Sequence, residues 1–284
     1  MDISVIIPVL NEANGLKQCI EAIANGNYKP IEIIVADGGS TDGSASIAAS
    51  CGATVIDNPA CNAAAGRNVG ALHAKGTILA FTDGDCIPDA DWLDAINRAF
   101  EEKRPHVVAG RIVPNAPENR YEAFWNNLAW EVLMEFGTTE FRITKKDIRH
   151  SAITANCAYS KTAFGLLGGF DEWFGNNAED VDLCWRALEA GMDILYTPDP
   201  VVFARGEIDL HGIRSKSYRN GVSSSKLQKK YGGRINYDLF IYHMLFSNLR
   251  GSSESKWPDL ERNELLWHLF GKYAGAFRHR VINF

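Results

Sequence analysis

Short unbroken apolar runs alternate with amphipathic stretches over the first hundred residues. Ile3–Val9 is a continuous apolar run of the kind a strand buried on both faces shows, with Pro8 near its end. Asn11-Glu12-Ala13-Asn14 follows, and Leu16, Cys19, Ile20 and Ile23 then share one helical face, closed by Gly26 and Pro30. The same pattern predicts strands over Ile31–Ala36, Ala53–Ile56 and Ile78–Phe81. It predicts helices over Ser44–Cys51, over Ala63–Ala74, and from Pro88-Asp89 to Phe100. Strand and helix in strict alternation make an α/β fold, a doubly wound and mostly parallel sheet with right-handed crossovers.

The pattern loosens further on. Val107–Val113 and Ile153–Tyr159 read as strands, 118–136 as an aromatic-rich helix with Trp130 and Phe136, and Thr138–His150, with Lys145, Lys146 and Arg149, as a polar surface loop. Phe164–Asp171 is a short helix ending in the turn Gly168-Gly169-Phe170-Asp171. Glu179-Asp180 opens an amphipathic helix, where acidic residues suit the helix dipole. Ile194–Tyr196 and Val201–Phe203 are two strand candidates, and 236–250 and 260–280 are helix candidates. The polar Ser217–Ser225 stretch is expected to be a loop able to close over a ligand as a lid.

Three polar clusters each follow a strand: Asn11-Glu12, Asp37 to Asp42, and Asp83-Gly84-Asp85. In an open α/β sheet, strand ends of one polarity share an edge, and ligands bind there. Two carboxylates one residue apart at a strand exit suit Mg²⁺ or Mn²⁺, which take one or two protein carboxylates plus substrate phosphates. Alone, Asp-Gly-Asp favours a turn, and it is the neighbouring clusters that point to a site.

Composition narrows the class. The 284 residues are 46% hydrophobic and 23% charged, as in a soluble globular protein. The net charge of −6 gives no general affinity for nucleic acid. The charge is uneven, for Ala204–Arg234 holds eight Lys/Arg against Glu207 and Asp209. Tyr218, Leu227 and Tyr231 interleave with these bases, and Phe240, Tyr242, Leu245 and Phe246 follow. That composition fits a peripheral membrane contact through 204–246, and equally a solvated helix with a packed partner. Six cysteines without Cys-x-x-Cys spacing read as buried thiols of a reducing compartment. With no signal-peptide pattern and no bilayer-length apolar run, the expectation is a cytoplasmic protein, at most peripheral at the inner face of the membrane.

An ordered set of motifs then carries a resemblance. Val5-Ile6-Ile7-Pro8-Val9-Leu10-Asn11-Glu12, Asp37-Gly38-Gly39-Ser40-Thr41-Asp42-Gly43, Arg67-Asn68, Thr82-Asp83-Gly84-Asp85, Gly168-Gly169-Phe170-Asp171 and Glu179-Asp180-Val181-Asp182-Leu183 occur in this order. Together they resemble the family 2 glycosyltransferases of the GT-A fold. The likeness covers residues 3–221. It implies a nucleotide-sugar half over 1–112, an acceptor half over 113–221 and a helical extension over 222–284.

The resemblance implies a metal-dependent, inverting transfer of a sugar from a nucleotide-diphosphate sugar, UDP-sugar favoured, to a hydroxyl of a glycan, lipid-linked or other acceptor. Polysaccharide, glycolipid or cell-surface glycan biosynthesis is the implied setting. Asp180 matches the general base, which takes the proton of the attacking hydroxyl. Pro8, Glu12, Asp37, Gly39, Arg67 and Asp83 fall where the family holds the nucleotide sugar. Asp85, with His211, falls where it holds Mn²⁺ or Mg²⁺, and Asn156, Gly169, Trp173 and Glu179 fall on the acceptor side. Plainer readings stand beside these: Glu12 also suits a first helix turn, Asp37 a cap, with Asp42 better placed for that job, and Arg67 a solvated helix position. Two alternatives remain, a nucleotide-sugar sensor without turnover and a sugar-phosphate nucleotidylyltransferase. A dinucleotide-binding dehydrogenase is disfavoured, because no Gly-x-Gly-x-x-Gly follows the first strand.

Overall fold

The computed structural model describes residues 1–127, 137–145, 151–206, 208–232 and 258–279. The chain divides into two compact units, Met1–Val113 with Phe136–Ala204, and Pro114–Glu135 with Arg205–Phe284.

The first unit is built on one nine-stranded sheet. Its strands are β1 (Ile3–Val9), β2 (Glu32–Asp37), β3 (Thr54–Asp57), β4 (Ile78–Phe81), β5 (Ile87–Pro88), β6 (Val107–Pro114), β7 (Phe141–Arg142), β8 (Cys157–Ser160) and β9 (Ile194–Ala204). They lie in the order β3-β2-β1-β4-β8-β6-β9-β5, with β7 also on β9. The half formed by β3, β2, β1 and β4 is parallel, and β8 joins β4 antiparallel. Helices α1 (Ala13–Asn25), α2 (Ser44–Ser50), α3 (Ala63–His73) and α4 (Trp92–Lys103) are the crossovers, and α5 (Lys161–Leu167) and α6 (Glu179–Glu189) complete the layers. α1 buries Leu16, Cys19, Ile20 and Ile23, the face its apolar spacing predicts.

Register places the polar clusters together. Val9 is level with Asp37, and Ile6 with Phe81. The three parallel strands therefore release Asn11-Glu12, Gly38–Asp42 and Thr82–Asp85 at one edge.

The elements differ from the pattern at identifiable places. The Ile153–Tyr159 strand is a 3₁₀ turn at Thr154–Asn156 followed by β8. Asn156 there is buried, with both side-chain polar atoms engaged. Its Oδ1 accepts from Trp92 Nε1 at 2.8 Å, and its Nδ2 donates to the carbonyls of Arg111 and Pro200 at 2.8 and 2.9 Å. Expected on the acceptor side, Asn156 instead ties the sheet to α4. The two strand candidates around Pro198 and Pro200 merge into β9, with both prolines between the residues that pair with β7 and those that pair with β5.

The second unit holds residues 120–127, which are helical, and the helices α7 (Leu210–Tyr231) and α8 (Pro258–His279). Ser217–Ser225, expected as a lid, is the interior of α7. Ser217 Oγ donates to the Ile213 carbonyl at 2.6 Å and Ser225 Oγ to the Lys272 carbonyl at 2.7 Å, so these hydroxyls are satisfied within helices rather than by solvent. A boundary at 221 would cut α7, and the second unit instead resumes at Arg205. The helix candidate 236–250 with Phe240, Tyr242, Leu245 and Phe246, the residues Trp130 and Phe136, and Lys146 and Arg149 lie outside the described residues. No described helix is long and apolar enough to cross a membrane.

Because Asn156 satisfies three buried partners, Asn156→Ala is expected to cost about 3 kcal/mol, the scale of orphaned buried hydrogen-bonding groups. The shift of the urea unfolding midpoint at unchanged slope measures it; a change under about 0.5 kcal/mol contradicts the tie.

Candidate active site

α3 carries the residue on which the site is built. Asn62 caps it by accepting from Ala65 N at 2.9 Å, and its buried face is small: Ala64, Ala65, Gly66, Gly70 and Ala71. Arg67 lies on that face and is only 3% exposed. Its Nη2 meets Asp83 Oδ1 and its Nη1 meets Glu179 Oε1, both at 2.7 Å. The Phe170 ring lies 5.8 Å from the guanidinium carbon. Arg67 was expected to touch the nucleotide, but both its terminal nitrogens are committed to protein carboxylates. It is a strut between the turn after β4 and the start of α6.

Asn68 does the neighbouring job. Its Oδ1 accepts from Phe170 N at 2.8 Å and its Nδ2 donates to the Phe170 carbonyl at 2.9 Å, holding the 168–171 turn as an adjacent strand would. Gly169 belongs to this turn for a steric reason: with φ +74°, a Cβ there would stand 2.6 Å from Asn68 Oδ1. Arg186 grips the turn from α6, donating to the Leu167 and Gly169 carbonyls at 2.6 and 2.7 Å while paired with buried Asp182 at 2.8 Å. Trp173 is partly exposed beside Phe174, its backbone N–H bonded to Asp171 Oδ1.

The α6 start is therefore held from both sides. Ala178, just before it, is buried in the left-handed region at φ +67°, which costs an alanine energy and marks an over-determined backbone. Asp180 is half-buried, and its Oδ1 accepts from Val181 N at 2.8 Å. Burial pushes its carboxyl above the usual value, against the pull of backbone N–H groups and Arg67. Glu179 is pushed up to about 7 by burial, opposed by Arg67 and reinforced by Asp180, and its Oε2 has no hydrogen-bond partner.

The opposite rim is a knit of two loops. Asn11, at φ +58°, donates its backbone N–H to Ser40 Oγ and accepts at Oδ1 from Thr41 N, both at 2.9 Å. Asp37 accepts from the backbone of Gly39 and Ser40, a turn that Gly39 completes at φ +87°. Asp42, expected to cap α2, binds Ser44 there and also reaches across to Ala13 N at the start of α1. Pro8 packs under this rim, 3.1 Å from where a Gly66 Cβ would stand.

Glu12 faces the turn after β4, its Cβ and Cγ 3.4 and 3.5 Å from the Cβ position of Gly84. Burial, then Asp85, Asp83 and Asp42, push its carboxyl up to about 7. Ligand atoms of Asp83, Asp85 and Cys86 lie within 4.8 Å of one another. Burial holds the Cys86 thiol well above its usual value, leaving it a poor ligand, and Asp83 shares its Oδ1 with Arg67. Exposed Asp85 and the outer edge of Asp83 offer hard oxygens, a donor set that fits Mg²⁺ or Mn²⁺. His211 is exposed on the first turn of α7, in the second unit. The structure thus gathers Glu12, Asp37, Asp83, Asp85, Glu179 and Asp180 in the first unit. The strut role of Arg67 was missed, although its place between Ala64 and Ala71, three and four residues away, put it on the apolar stripe of α3.

A mixed, mostly parallel sheet flanked by helices, with carboxylates at the ends of its parallel strands, is the α/β class of fold to which this chain belongs. The model of the family described as "Glycosyl transferase family 2" matches residues 4–167, and this chain belongs to that family. A Pre-mycofactocin glycosyltransferase of Mycobacterium tuberculosis is 31% identical over 209 residues, 71% of this chain and 42% of the relative. The chain therefore spans less than half the length of that relative. Among solved structures, S. aureus TarS 1–349 in complex with UDP-GlcNAc matches with TM-score 0.59 and 16% identity, covering 95% of this chain and 81% of that one. Glucosyl-3-phosphoglycerate synthase of M. tuberculosis, in complex with Mn²⁺, UDP and glucosyl-3-phosphoglycerate, matches with TM-score 0.58 and 18% identity, covering 81% and 80%.

Two consequences are measurable. Replacing Arg67 by Met leaves Asp83 and Glu179 without their cation, and breaking a buried pair of this kind costs about 3–5 kcal/mol. Urea unfolding is expected to show that loss, with Arg67→Lys recovering part of it. An Arg67→Met protein as stable as the parent rules out the strut.

The second consequence is a pH slope. A carboxyl with a folded-state pKa above its unfolded one binds more protons when folded. The stability contributed by Glu12 and Glu179 is thus complete below about 4.5 and is lost as pH rises through about 7. In EDTA, the double variant Glu12→Gln, Glu179→Gln is expected to flatten the decline in melting temperature between pH 5 and about pH 8. An unchanged decline assigns it elsewhere.

Proposed function

We propose that this chain catalyses direct, inverting transfer of a sugar from a UDP-sugar to an acceptor hydroxyl. The observation that carries the reading is Asp180, half-buried with a raised pKa at the first turn of α6, on a segment tied through Glu179 and Arg67 to Asp83. A carboxylate whose proton affinity lies above the ordinary range is a better general base, and here the acceptor hydroxyl is its substrate. Glu179 keeps that end of α6 in place through Arg67, and the Asp83 carboxylate adds to the rise that burial causes at Asp180.

The donor would lie along the edge where β1, β2 and β4 end. Asp37 and Glu12 would hold the nucleoside by accepting from base and ribose. Asp85, with the outer edge of Asp83, would hold Mn²⁺ or Mg²⁺ beside the diphosphate. When bound, the cation supplies Lewis-acid relief of the charge that grows on the departing diphosphate. Gly169 and Trp173, on the segment that Asn68 and Arg186 brace, would border the acceptor. The complexes of TarS with UDP-GlcNAc and of glucosyl-3-phosphoglycerate synthase with UDP and Mn²⁺ support this choice of donor and cation, through fold alone. With Asp180 as base, Asp85 and Asp83 on the cation and Glu179 on Arg67, no carboxylate among the described site residues is assigned as a nucleophile, which favours a single displacement.

Calorimetry with UDP and Mn²⁺, paired with a UDP-sugar turnover assay, tests the assignment. Asp180→Asn is expected to lower turnover by about 10²–10⁴-fold with UDP affinity unchanged. Asp85→Ala is expected to abolish the part of UDP binding that EDTA also abolishes. Full turnover in Asp180→Asn overturns the base, and tight UDP binding with no turnover of any UDP-sugar in the parent favours a sensor.

A further inference from the structure

The two long helices of the second unit are locked face to face. Arg214 Nε donates to Asn263 Oδ1 at 3.0 Å near their N-terminal ends, and Gly275 packs on Val222 further along, so α7 and α8 run parallel. A Cβ on Gly271 would fall 2.0 Å from the Tyr218 carbonyl oxygen, and one on Gly221 2.0 Å from that of His268. Neither helix has freedom to roll. The buried face of α8 is fixed as Leu260, His268, Gly271 and Gly275.

That fixes the outer face too. Leu266, Phe270, Tyr273 and Phe277 fall at i, i+4, i+7 and i+11, one row within about 60° of arc. Exposure rises along it, with Phe270 at 61%, Tyr273 at 72% and Phe277 at 91%, and Trp267 flanks it, ring against ring with Phe270. Scattered exposed apolar residues are ordinary, but a contiguous row of large ones marks a contact surface.

Charge indicates what covers it. α7 carries six Lys/Arg (Arg214, Lys216, Arg219, Lys226, Lys229 and Lys230) and no acidic residue in its 22. From Leu265 on, the only formal charges of α8 are Lys272 and Arg278. Lys226, Lys229 and Arg278 converge near His279, whose imidazolium is held below its usual range by burial and by these three cations. A second copy would set two such basic ends against each other. An anionic bilayer satisfies both halves, with aromatic and aliphatic side chains in the headgroup–acyl boundary and lysines on acidic headgroups.

We propose that the α7–α8 pair docks on an anionic lipid bilayer, with α8 lying in the interface on its Leu266–Phe277 row and the basic residues around Lys226 and Lys229 at the headgroups. The docking row lies on α8, beyond the 204–246 segment singled out by composition. The surface stands on these two helices alone and needs no turnover.

Co-sedimentation of the full chain with vesicles of phosphatidylcholine, alone or with phosphatidylglycerol, tests it. The parent is expected to sediment with the anionic vesicles and to be released by high salt. Phe270→Glu with Phe277→Glu should abolish the binding, while Lys226→Gln and Lys229→Gln should each weaken it about fivefold at low salt. Melting temperature and UDP affinity, unchanged in the phenylalanine variant, separate lost docking from lost folding. Absence of binding to either vesicle overturns the proposal, as does binding that survives Phe270→Glu with Phe277→Glu. A dimer seen by light scattering and dissolved by Phe277→Glu overturns it in favour of a second copy.

Discussion

One buried guanidinium decides the geometry of the first unit. Arg67 sits in α3 among alanines and glycines whose small side chains let it lie against the sheet, and it pays for its burial by holding two carboxylates at 2.7 Å. The carboxylates belong to elements remote in sequence, the turn after β4 and the start of α6. Without the cation, Asp83 would turn to solvent and Glu179 would be left a buried carboxyl without its partner. The pair fixes the turn after β4 against the start of α6, the two stretches to which the proposed reading gives a donor-side carboxylate and the base. Asn68 and Arg186 repeat the device around the 168–171 turn, each with backbone partners. The Phe81, Tyr159, Phe164 and Phe170 rings pack beneath, edge to face for the most part, as a stiff floor.

The opposite rim is organised by hydrogen bonds rather than charge. Ser40 and Asp42 of the β2–α2 loop and Ser44 at the start of α2 bind the backbone of Asn11, Ala13 and Glu12 in turn. Glu12 thereby faces Asp83 and Asp85, and burial first, then the repulsion of these carboxylates, raises its proton affinity. Such a rim is poorly suited to an anionic diphosphate alone. On the proposed reading, Asp85 and Asp83 would hold the cation beside Glu12, and its positive charge would offset theirs and lower the proton affinity of Glu12, coupling cation and donor binding.

The sequence made the parallel half of the sheet legible because its strands are unbroken apolar runs and its helices carry clean stripes; Ile78–Phe81 coincides with β4 to the residue. Glu12, Asp37, Asp83 and Asp85 were legible as a group, since each lies at or just past the end of a parallel strand. What was not legible depended on partners remote in sequence. An Arg on a helix and an Asn before a strand look solvent-facing until the chain brings Glu179 to one and Trp92 to the other. Ser217–Ser225 read as a lid because serine disfavours helices in isolation; the Ser217 and Ser225 hydroxyls bond to helix carbonyls, and Ser225 does so to a second helix.

The same dependence on a partner gives α8 its two faces. Its composition between 265 and 279 is apolar nearly all round, which in a lone helix signals full burial. Gly271 and Gly275 break that ambiguity, because close approach to α7 is possible only on the side without side chains. Packing through glycines spends little apolar area, so Leu266, Phe270, Tyr273 and Phe277 are left on the other side with nothing from α7 to cover them. A helix that needed only to finish a fold would invert this arrangement, placing the aromatic rings inward, where burial of each contributes roughly 1.5–3 kcal/mol, and small residues outward. The inversion trades folding stability for an outward apolar row, which is favoured only where that row meets a surface of its own.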